Sequence, residues 1–197
     1  NSAKGRRDLT LMSVLYDTGA RVQELIDIKI CDVILDTPAV IILTGKGHKV
    51  RRVPILKNTV TLLQTYISDN NLNVQWKNQH PLFMNNRHNK LTKEGVAYII
   101  AKYVKTARDQ STIVPKKVKP HMFRHSKAMH LLQAGVNLIY IRDFLGHVDI
   151  RTTEIYARAD TETKRKAIEN AYPDIIESNL PEWNRDPELL SWLSNLK

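Results

Sequence analysis

The 197-residue chain contains a single cysteine, Cys31, which excludes an internal disulfide and a zinc cluster built from cysteines. No run of about 18 apolar residues is present, as a membrane-spanning helix would need. Residues 1–7 lack the apolar core of a secretory signal peptide. These absences favour a cytoplasmic protein. Because Cys31 is set among apolar residues, it is expected to be a buried and inert thiol.

Acidic residues are scarce relative to basic ones, so that the formal net charge is +10 and the isoelectric point is near 9.7. The basic excess lies in residues 1–156, which hold 24 Lys and Arg against 12 Asp and Glu, whereas residues 157–197 hold six against eight. Lysines and arginines that meet phosphates release counterions and gain affinity from that release. The first 156 residues are therefore expected to bind a polyanion.

The segment from residue 31 to residue 55 is rich in β-branched residues and is interrupted twice by turn-forming residues. The β-branched stretches are Val33–Leu35, Val40–Leu43 and Val50–Ile55, and the interruptions are Asp36-Thr37-Pro38 and Gly45-Lys46-Gly47-His48. This pattern predicts a three-stranded antiparallel sheet with Lys46 in its second turn.

Helical periodicity dominates the rest of the chain. Leu9, Met12 and Leu15 recur every three residues and predict an amphipathic helix that ends near Gly19, with a second helix just after it. Further helices are predicted behind Thr92, from Pro120 to about Ala134, from Asn137 to Leu145, around Tyr156 and over residues 161–171. The expected fold class is mixed α+β and mostly α-helical, in a domain of ordinary size.

Arg21 and Glu24 are three residues apart and therefore share one face of the predicted second helix. Such a pair is often only a surface ion pair. Here the stretch Asp17-Thr18-Gly19-Ala20 sets Arg21 at a junction between helices, where its planar guanidinium can grip two phosphate oxygens.

Lys46 lies between two glycines in the predicted hairpin turn. It is either a solvated turn residue or a flexible lysine that enters a DNA groove and donates a proton to a leaving 5′ oxygen. The nearby Lys49, Arg51 and Arg52 either contact backbone phosphate or are charges on the face of a strand.

His121, Arg124 and His125 begin a helix directly after Pro120, where free backbone N–H groups and the helix dipole favour an anion. His121 and His125 also have the i, i+4 spacing of zinc ligands. Zinc is disfavoured because no glutamate lies between them and because Arg124 would repel the metal. His125 and His130 are expected to be packing or surface histidines.

His147 follows the predicted helix that ends at Leu145-Gly146, and Tyr156 comes nine residues later. A lone tyrosine in a helical region is usually a core or surface residue. The order and spacing of the whole set nevertheless resemble the catalytic residues of the tyrosine recombinase (phage integrase) family. The set that carries this resemblance is Arg21, Lys46, Arg124, His147 and Tyr156, and the resemblance extends from about Lys4 to Lys166.

The resemblance implies a role for each of these residues. Tyr156 would attack the scissile phosphate and form a 3′-phosphotyrosyl intermediate, while Arg21 and Arg124 would stabilise the charge on the phosphate. His147 would add a hydrogen bond and Lys46 would protonate the departing 5′ hydroxyl. His121 would accompany Arg124 as a base, with Glu24 as a supporting acid. No cofactor or metal is implied, and the absence of a GxxxxGK[ST] motif agrees with chemistry that needs no ATP.

The family also implies an organisation and partners. Residues 1–172 would form the catalytic domain, and residues 173–197 a tail helix that is exchanged between protomers. The partners would be a double-stranded DNA recombination site, three further copies in a homotetramer and an accessory DNA-bending protein at the nucleoid. Because the chain starts at Asn1 and not at methionine, we expect a fragment of a longer protein of a mobile element, with an N-terminal core-binding domain upstream.

Two other functions remain open from the sequence. A type IB topoisomerase uses a similar set of residues to nick and reseal one strand. A non-catalytic regulator is the second alternative, because residues 126–145 resemble a helix-turn-helix with Ala134-Gly135-Val136 at the turn. Such a regulator would have no use for Lys46 or Tyr156.

Overall fold

The computed structural model describes residues 2–147, 151–159 and Arg165.

Helix caps set the boundaries of the first helices. Helix α1 (Ala3–Thr18) begins behind Ser2, whose hydroxyl accepts a hydrogen bond from the Gly5 N–H at 3.1 Å. It ends at Gly19, which has a φ of 56° in the left-handed region, so the predicted end of this helix is confirmed. Helix α2 (Val22–Asp27) starts three residues later.

The predicted three-stranded antiparallel sheet is confirmed. Its strands are β1 (Val33–Ile34), β2 (Val40–Thr44) and β3 (Val50–Pro54), in the spatial order β1-β2-β3. Leu43 of β2 lies opposite Arg51 of β3, and Ile41 lies opposite Val53. The β2–β3 turn at Lys46–His48 contains Lys46, as expected.

In the part of the chain that the structure describes, five more α-helices follow the sheet, and two of them start at predicted caps. They are α3 (Lys57–Asp69), α4 (Lys93–Gln110), α5 (Pro120–Gln133), α6 (Leu138–Leu145) and α7 (Arg151–Ala159). Thr92 accepts a hydrogen bond from the Gly95 N–H at 3.1 Å, and Asn137 accepts one from the Ile139 N–H at 2.9 Å. The mostly helical fold with a small sheet is therefore the predicted one.

Two apolar clusters hold these elements together. The larger joins α1, the sheet, α3 and α4 and includes Leu15, Leu43 and Leu63. The smaller joins α5, α6 and α7 around residues such as Ile141 and Leu145. A fully buried leucine or isoleucine contributes about 1.5–3 kcal/mol. Partly buried Phe144 packs against both clusters, so the end of α6 is tied to the main core.

One expectation about the core is wrong. Cys31 is exposed, because it lies in the short 3₁₀ turn Ile30–Asp32, which presents Ile30 and not Cys31 to the core. Within the described ranges, no helix is long and apolar enough to cross a membrane. The predicted helix over residues 161–171, apart from Arg165, lies outside the described residues, as do the predicted tail helix and the boundary at residue 172.

Candidate active site

Arg21 lies at the junction between α1 and α2, where it is the N-cap residue of α2. Glu24, one turn into α2, accepts hydrogen bonds from the Arg21 backbone N–H and from Nη1, both at 2.9 Å. The carboxylate thus satisfies a free N–H group of the helix start and also holds the guanidinium. The Arg21 side chain remains 43% exposed and can reach a ligand.

Glu24 itself is buried and is held from a second direction by Arg51 of β3. Arg51 Nη1 and Nη2 donate to Glu24 Oε1 and Oε2 at 3.1 and 2.7 Å. Burial acts to raise the pKa of Glu24, but the hydrogen bonds from Arg51 and Arg21 outweigh it and leave that pKa below its usual range. Glu24 is therefore an ionised acceptor between two arginines.

Arg124, on the first turns of α5, is completely buried. Its Nη1 donates to the Gly19 carbonyl and its Nη2 to the Leu145 carbonyl, each at 2.7 Å. The buried Nε has no hydrogen-bond partner. Burial, and then the charge of Arg21, lowers the pKa of Arg124 to about 10. In the described part of the chain no carboxylate forms an ion pair with Arg124, so this corner of the site is electropositive.

His147 follows α6, whose last turn is closed by Gly146. Its Nδ1 lies 2.9 Å from the Thr153 hydroxyl oxygen on α7. Burial, with the charges of Arg124 and Arg21, lowers the pKa of His147 to about 4, so the ring is neutral near pH 7. If the Thr153 hydroxyl donates to Nδ1, then Nε2 carries the ring proton and is free to donate it to an anion.

Tyr156 on α7 is 6% exposed, and its hydroxyl lies 2.9 Å from Nδ1 of His125. Burial raises the pKa of this hydroxyl, although Arg124 and Arg21 oppose the rise. The phenol is therefore protonated at neutral pH and needs a proton acceptor before it can attack.

His125, expected to be a packing or surface histidine, is exposed and also contacts the Tyr156 hydroxyl, which the sequence did not predict. His125 lies one helical turn after His121, on the face of α5 that meets α7, and the two rings pack edge to face with centroids 4.3 Å apart. Burial and the charges of His125 and Arg124 lower the pKa of His121. His130 is exposed, as expected, and contacts the Tyr16 hydroxyl.

Two pockets meet at Arg21 and His147, which line both of them. The first, of about 300 Å³, lies beside the hairpin and is also lined by Lys46 and Lys49. The second, of about 240 Å³, lies beside α7 and is also lined by Arg124 and Tyr156. His121 and His125 complete the second pocket. All six predicted catalytic residues thus border one of two adjoining pockets, with Glu24 just behind Arg21.

Three residues of this site were not identified from the sequence: Arg51, His125 and Thr153. The strand pattern could have identified Arg51, because in a strand it shares its face with Val53, which is buried. An arginine on the inward face of a strand needs a partner. His125 and Thr153 had no signal, because their partners are set only by how α5, α6 and α7 pack.

Among the residues that the structure describes, no three His, Cys, Asp or Glu side chains are grouped to hold a metal ion. His121 and His125 face Tyr156 and the arginine-lined pocket.

The fold and the site define a mostly helical domain with one exposed and one buried arginine, Arg21 and Arg124, in pockets that are also lined by Tyr156 and by Lys46 of the hairpin. The model of the phage integrase family matches residues 1–163, and the chain belongs to this family.

Curated relatives are similar over most of this chain. The tyrosine recombinase XerC of Staphylococcus epidermidis is 34% identical over 173 residues, which are 88% of this chain and 56% of that protein. The tyrosine recombinase XerA of Pyrococcus horikoshii is 36% identical over 172 residues, with 86% and 56% covered. The chain therefore spans about half the length of the curated relatives it matches.

Solved structures have the same fold. The crystal structure of XerA recombinase has a TM-score of 0.71 at 30% identity, covering 86% of this chain and 58% of that one. XerH site-specific recombinase, bound to its palindromic difH substrate in a post-cleavage complex, has a TM-score of 0.71 at 27% identity. In that case 85% of this chain and 46% of the other are covered.

Proposed function

We propose that this chain is the catalytic part of a site-specific DNA recombinase that cleaves and rejoins strands through a 3′-phosphotyrosyl intermediate. The observation that carries the proposal is the pair of pockets that share Arg21 and His147. In-line displacement at phosphorus needs the attacking and leaving oxygens on opposite sides of the phosphate. A phosphate held between Arg21 and His147 would have Tyr156 on one side and Lys46 on the other.

The cations of the site would stabilise the pentavalent phosphate. Arg21 is exposed enough to bind two phosphate oxygens with its planar guanidinium. Arg124, which lines the second pocket, supplies a fixed positive charge, and neutral His147 donates its remaining N–H. Because Arg124 and His147 are already held by protein contacts, little reorganisation is needed when charge develops on the phosphate.

Proton transfer would accompany the exchange of bonds at phosphorus. The Tyr156 oxygen forms a bond to phosphorus as the bond from phosphorus to the 5′ oxygen breaks. The phenol proton passes to Nδ1 of His125, the nitrogen 2.9 Å away, and the 5′ oxygen takes a proton from Lys46. His121, to which the family resemblance assigns the role of base, packs against His125 and would hold the His125 ring in place beside Tyr156.

Rejoining would reverse these steps with a different 5′ hydroxyl. The phosphotyrosine keeps the energy of the broken phosphodiester, so no ATP is consumed. Attack by the 5′ hydroxyl of a partner duplex makes and later resolves a Holliday junction, with four copies of the chain assembled on DNA and an accessory DNA-bending protein. A mobile element is the proposed context, and the cytoplasm is the proposed location.

Tyr156 provides the direct test. Nicked suicide duplexes tiled over the DNA that flanks the coding sequence allow the cleaved end to diffuse away, which traps a covalent adduct. The unaltered chain should give an adduct that persists in a denaturing gel. Tyr156→Phe should bind the same duplex without forming it, because only the nucleophilic oxygen is lost. Tyr140→Phe, which changes an exposed tyrosine on α6, is the matched control and should form the adduct.

The same experiment separates the alternatives. An adduct formed by Tyr156→Phe would contradict the proposal, and no adduct from any tile with the unaltered chain would favour the non-catalytic regulator. Transfer of the trapped strand to a second labelled duplex distinguishes recombination from a topoisomerase, which would instead relax supercoiled DNA without strand transfer.

A further inference from the structure

We propose that Arg51 is a positioning residue that sets the geometry of the two phosphate ligands Arg21 and His147. Its effect on catalysis rests on the function proposed above. Arg51 lies on β3, outside both helical segments that carry these ligands, and is five residues beyond Lys46 in the hairpin.

The first link runs from Arg51 to Arg21 through Glu24. The two terminal nitrogens of Arg51 bind the two oxygens of Glu24, at 3.1 and 2.7 Å. Glu24 in turn accepts from the backbone and the side chain of Arg21. A carboxylate that is held at both oxygens has one orientation, so the direction of the Arg21 guanidinium follows from the place of Arg51.

The second link runs from Arg51 to the end of α6. Arg51 Nε donates to the Phe144 carbonyl at 3.1 Å, three residues before His147. Gly146, two residues further along the chain, lies directly against the Arg51 guanidinium. A Cβ added at Gly146 would lie 3.0 Å from Arg51 Nη1 and 3.2 Å from Arg51 Cδ. Gly146 has a φ of 66°, which turns the chain toward His147 at this point.

The hairpin is also packed against this centre. A Cβ added at Gly45, the residue before Lys46, would lie 3.1 Å from Glu24 Oε1 and 3.7 Å from Arg51 Nη1. Three segments that carry candidate catalytic residues therefore meet at one guanidinium: the start of α2, the end of α6 and the β2–β3 hairpin.

The contacts distinguish this role from a phosphate contact. Each of the three guanidinium nitrogens of Arg51 already binds a protein oxygen, and the side chain is only 12% exposed. Arg52, the next residue on β3, has its side chain on the opposite and exposed face. Lysine could not replace Arg51 fully, because a single ammonium cannot bind two carboxylate oxygens and a carbonyl in one plane.

The test compares Arg51→Gln, Arg51→Lys and the matched control Arg52→Gln in the full chain. Single-turnover adduct formation on the suicide duplex is measured with protein in excess, together with duplex affinity. A misplacement of about 1 Å in a catalytic group costs about 100-fold in rate. We therefore expect Arg51→Gln to form the adduct about 100-fold more slowly with nearly unchanged affinity. Arg51→Lys should be intermediate, and Arg52→Gln should match the parent in the rate of adduct formation. Equal rates for Arg51→Gln and Arg52→Gln would overturn the proposal.

A second readout does not depend on activity. In NMR spectra of the DNA-free chain, Arg51→Gln should shift the Arg21 side-chain and His147 ring signals and raise the pKa of the Glu24 carboxyl, whereas Arg52→Gln should change none of these. Unshifted Arg21 and His147 signals would overturn the proposal even if the parent forms no adduct, in which case the proposed function fails separately. If Arg51→Gln does not fold by circular dichroism, Arg51→Lys is judged by both readouts.

Discussion

Lys46 is exposed, and it differs from the other candidate catalytic residues because it lies on a turn whose shape is set by two glycines. A flexible lysine of this kind is expected to contribute by donating a proton to the leaving 5′ oxygen and not by holding the phosphate in a fixed geometry. Lys46→Ala should therefore cleave an ordinary phosphodiester poorly but recover on a 5′-bridging phosphorothiolate, because a thiolate leaves without a proton. Adduct formation on the two substrates measures this. Equal impairment on both would assign Lys46 to binding instead.

His147 makes the stability of the DNA-free protein depend on pH. Its pKa is about 4 in the folded chain and about 6.5 when unperturbed. Between these values the unfolded chain binds a proton that the folded chain does not, so stability is lost as the pH falls from about 6.5 toward 4. The variant His147→Gln has no titratable group at this position. Its free energy of unfolding should therefore fall less between pH 7 and pH 5 than that of the parent. Urea unfolding at both pH values measures the difference.

The control for that experiment is His80→Gln, a histidine outside the two pockets. It should retain the pH dependence of the parent. The same slope in the parent and in His147→Gln would mean that His147 is not held neutral by burial and the neighbouring arginines.

At the scale of elements, the site is built from helix ends. The end of α1 supplies the Gly19 carbonyl to Arg124, the start of α2 supplies Arg21, and the end of α6 supplies the Leu145 carbonyl and then His147. Helix ends carry backbone groups that lack partners within the helix. Two of the last carbonyls are used here to hold a buried arginine, which fixes where α5 lies against α1 and α6.

Gly146 and Gly135 allow this arrangement to be tested, because both have positive φ but only one is crowded. Gly135 has a φ of 78° and no atom within 4 Å of an added Cβ, whereas a Cβ at Gly146 meets Arg51. An alanine in the left-handed region costs about 1–2 kcal/mol. Gly135→Ala should pay only this cost. Gly146→Ala should also displace Arg51, so it should unfold at a lower temperature and form the adduct more slowly.

Calorimetry and the suicide duplex measure the two effects separately. For a chain of this size, 1 kcal/mol shifts the unfolding midpoint by about 2–4 °C. Indistinguishable midpoints and adduct rates for the two alanine variants would show that the contact between Gly146 and Arg51 has no consequence.

At the scale of the whole molecule, the basic charge and the site lie in the same part of the chain. The net charge of residues 1–156 is +12, whereas that of residues 157–197 is −2. A polyanion should therefore bind the first part and not the second, with an affinity that falls as salt is added. The acidic and apolar segment after Tyr156 needs a different partner, either its own domain or another copy of the chain.

Residues 180–197 are the segment to remove. A helix from Asp186 or Pro187 would place Leu189, Leu193 and Leu196 along one face, which has to be buried against protein. Docking on a neighbouring protomer in a cyclic exchange would couple Tyr156 to assembly. Deletion of residues 180–197 should leave a folded, DNA-binding monomer with much reduced strand exchange. A recombination rate equal to that of the undeleted chain would exclude an exchanged tail.

Local sequence determined the helix ends and the hairpin that the structure describes. Gly19, Thr92 and Asn137 end or begin helices because their conformations and caps depend on neighbours within a few residues. The hairpin around Lys46 follows from β-branched strands and a turn that are adjacent in the chain. The order of arginine, lysine, histidine and tyrosine was sufficient to place the chain in its family.

Only the tertiary structure decided which side chains meet. Arg51 binds Glu24 and the Phe144 carbonyl, which are 27 and 93 residues away, and Tyr156 contacts His125 from 31 residues away. These contacts depend on the register of β3 against β2 and on how α5, α6 and α7 pack. No local sequence pattern predicts these contacts, because they join residues that are far apart in the chain. Such polar groups find their partners only when the elements pack together around the core.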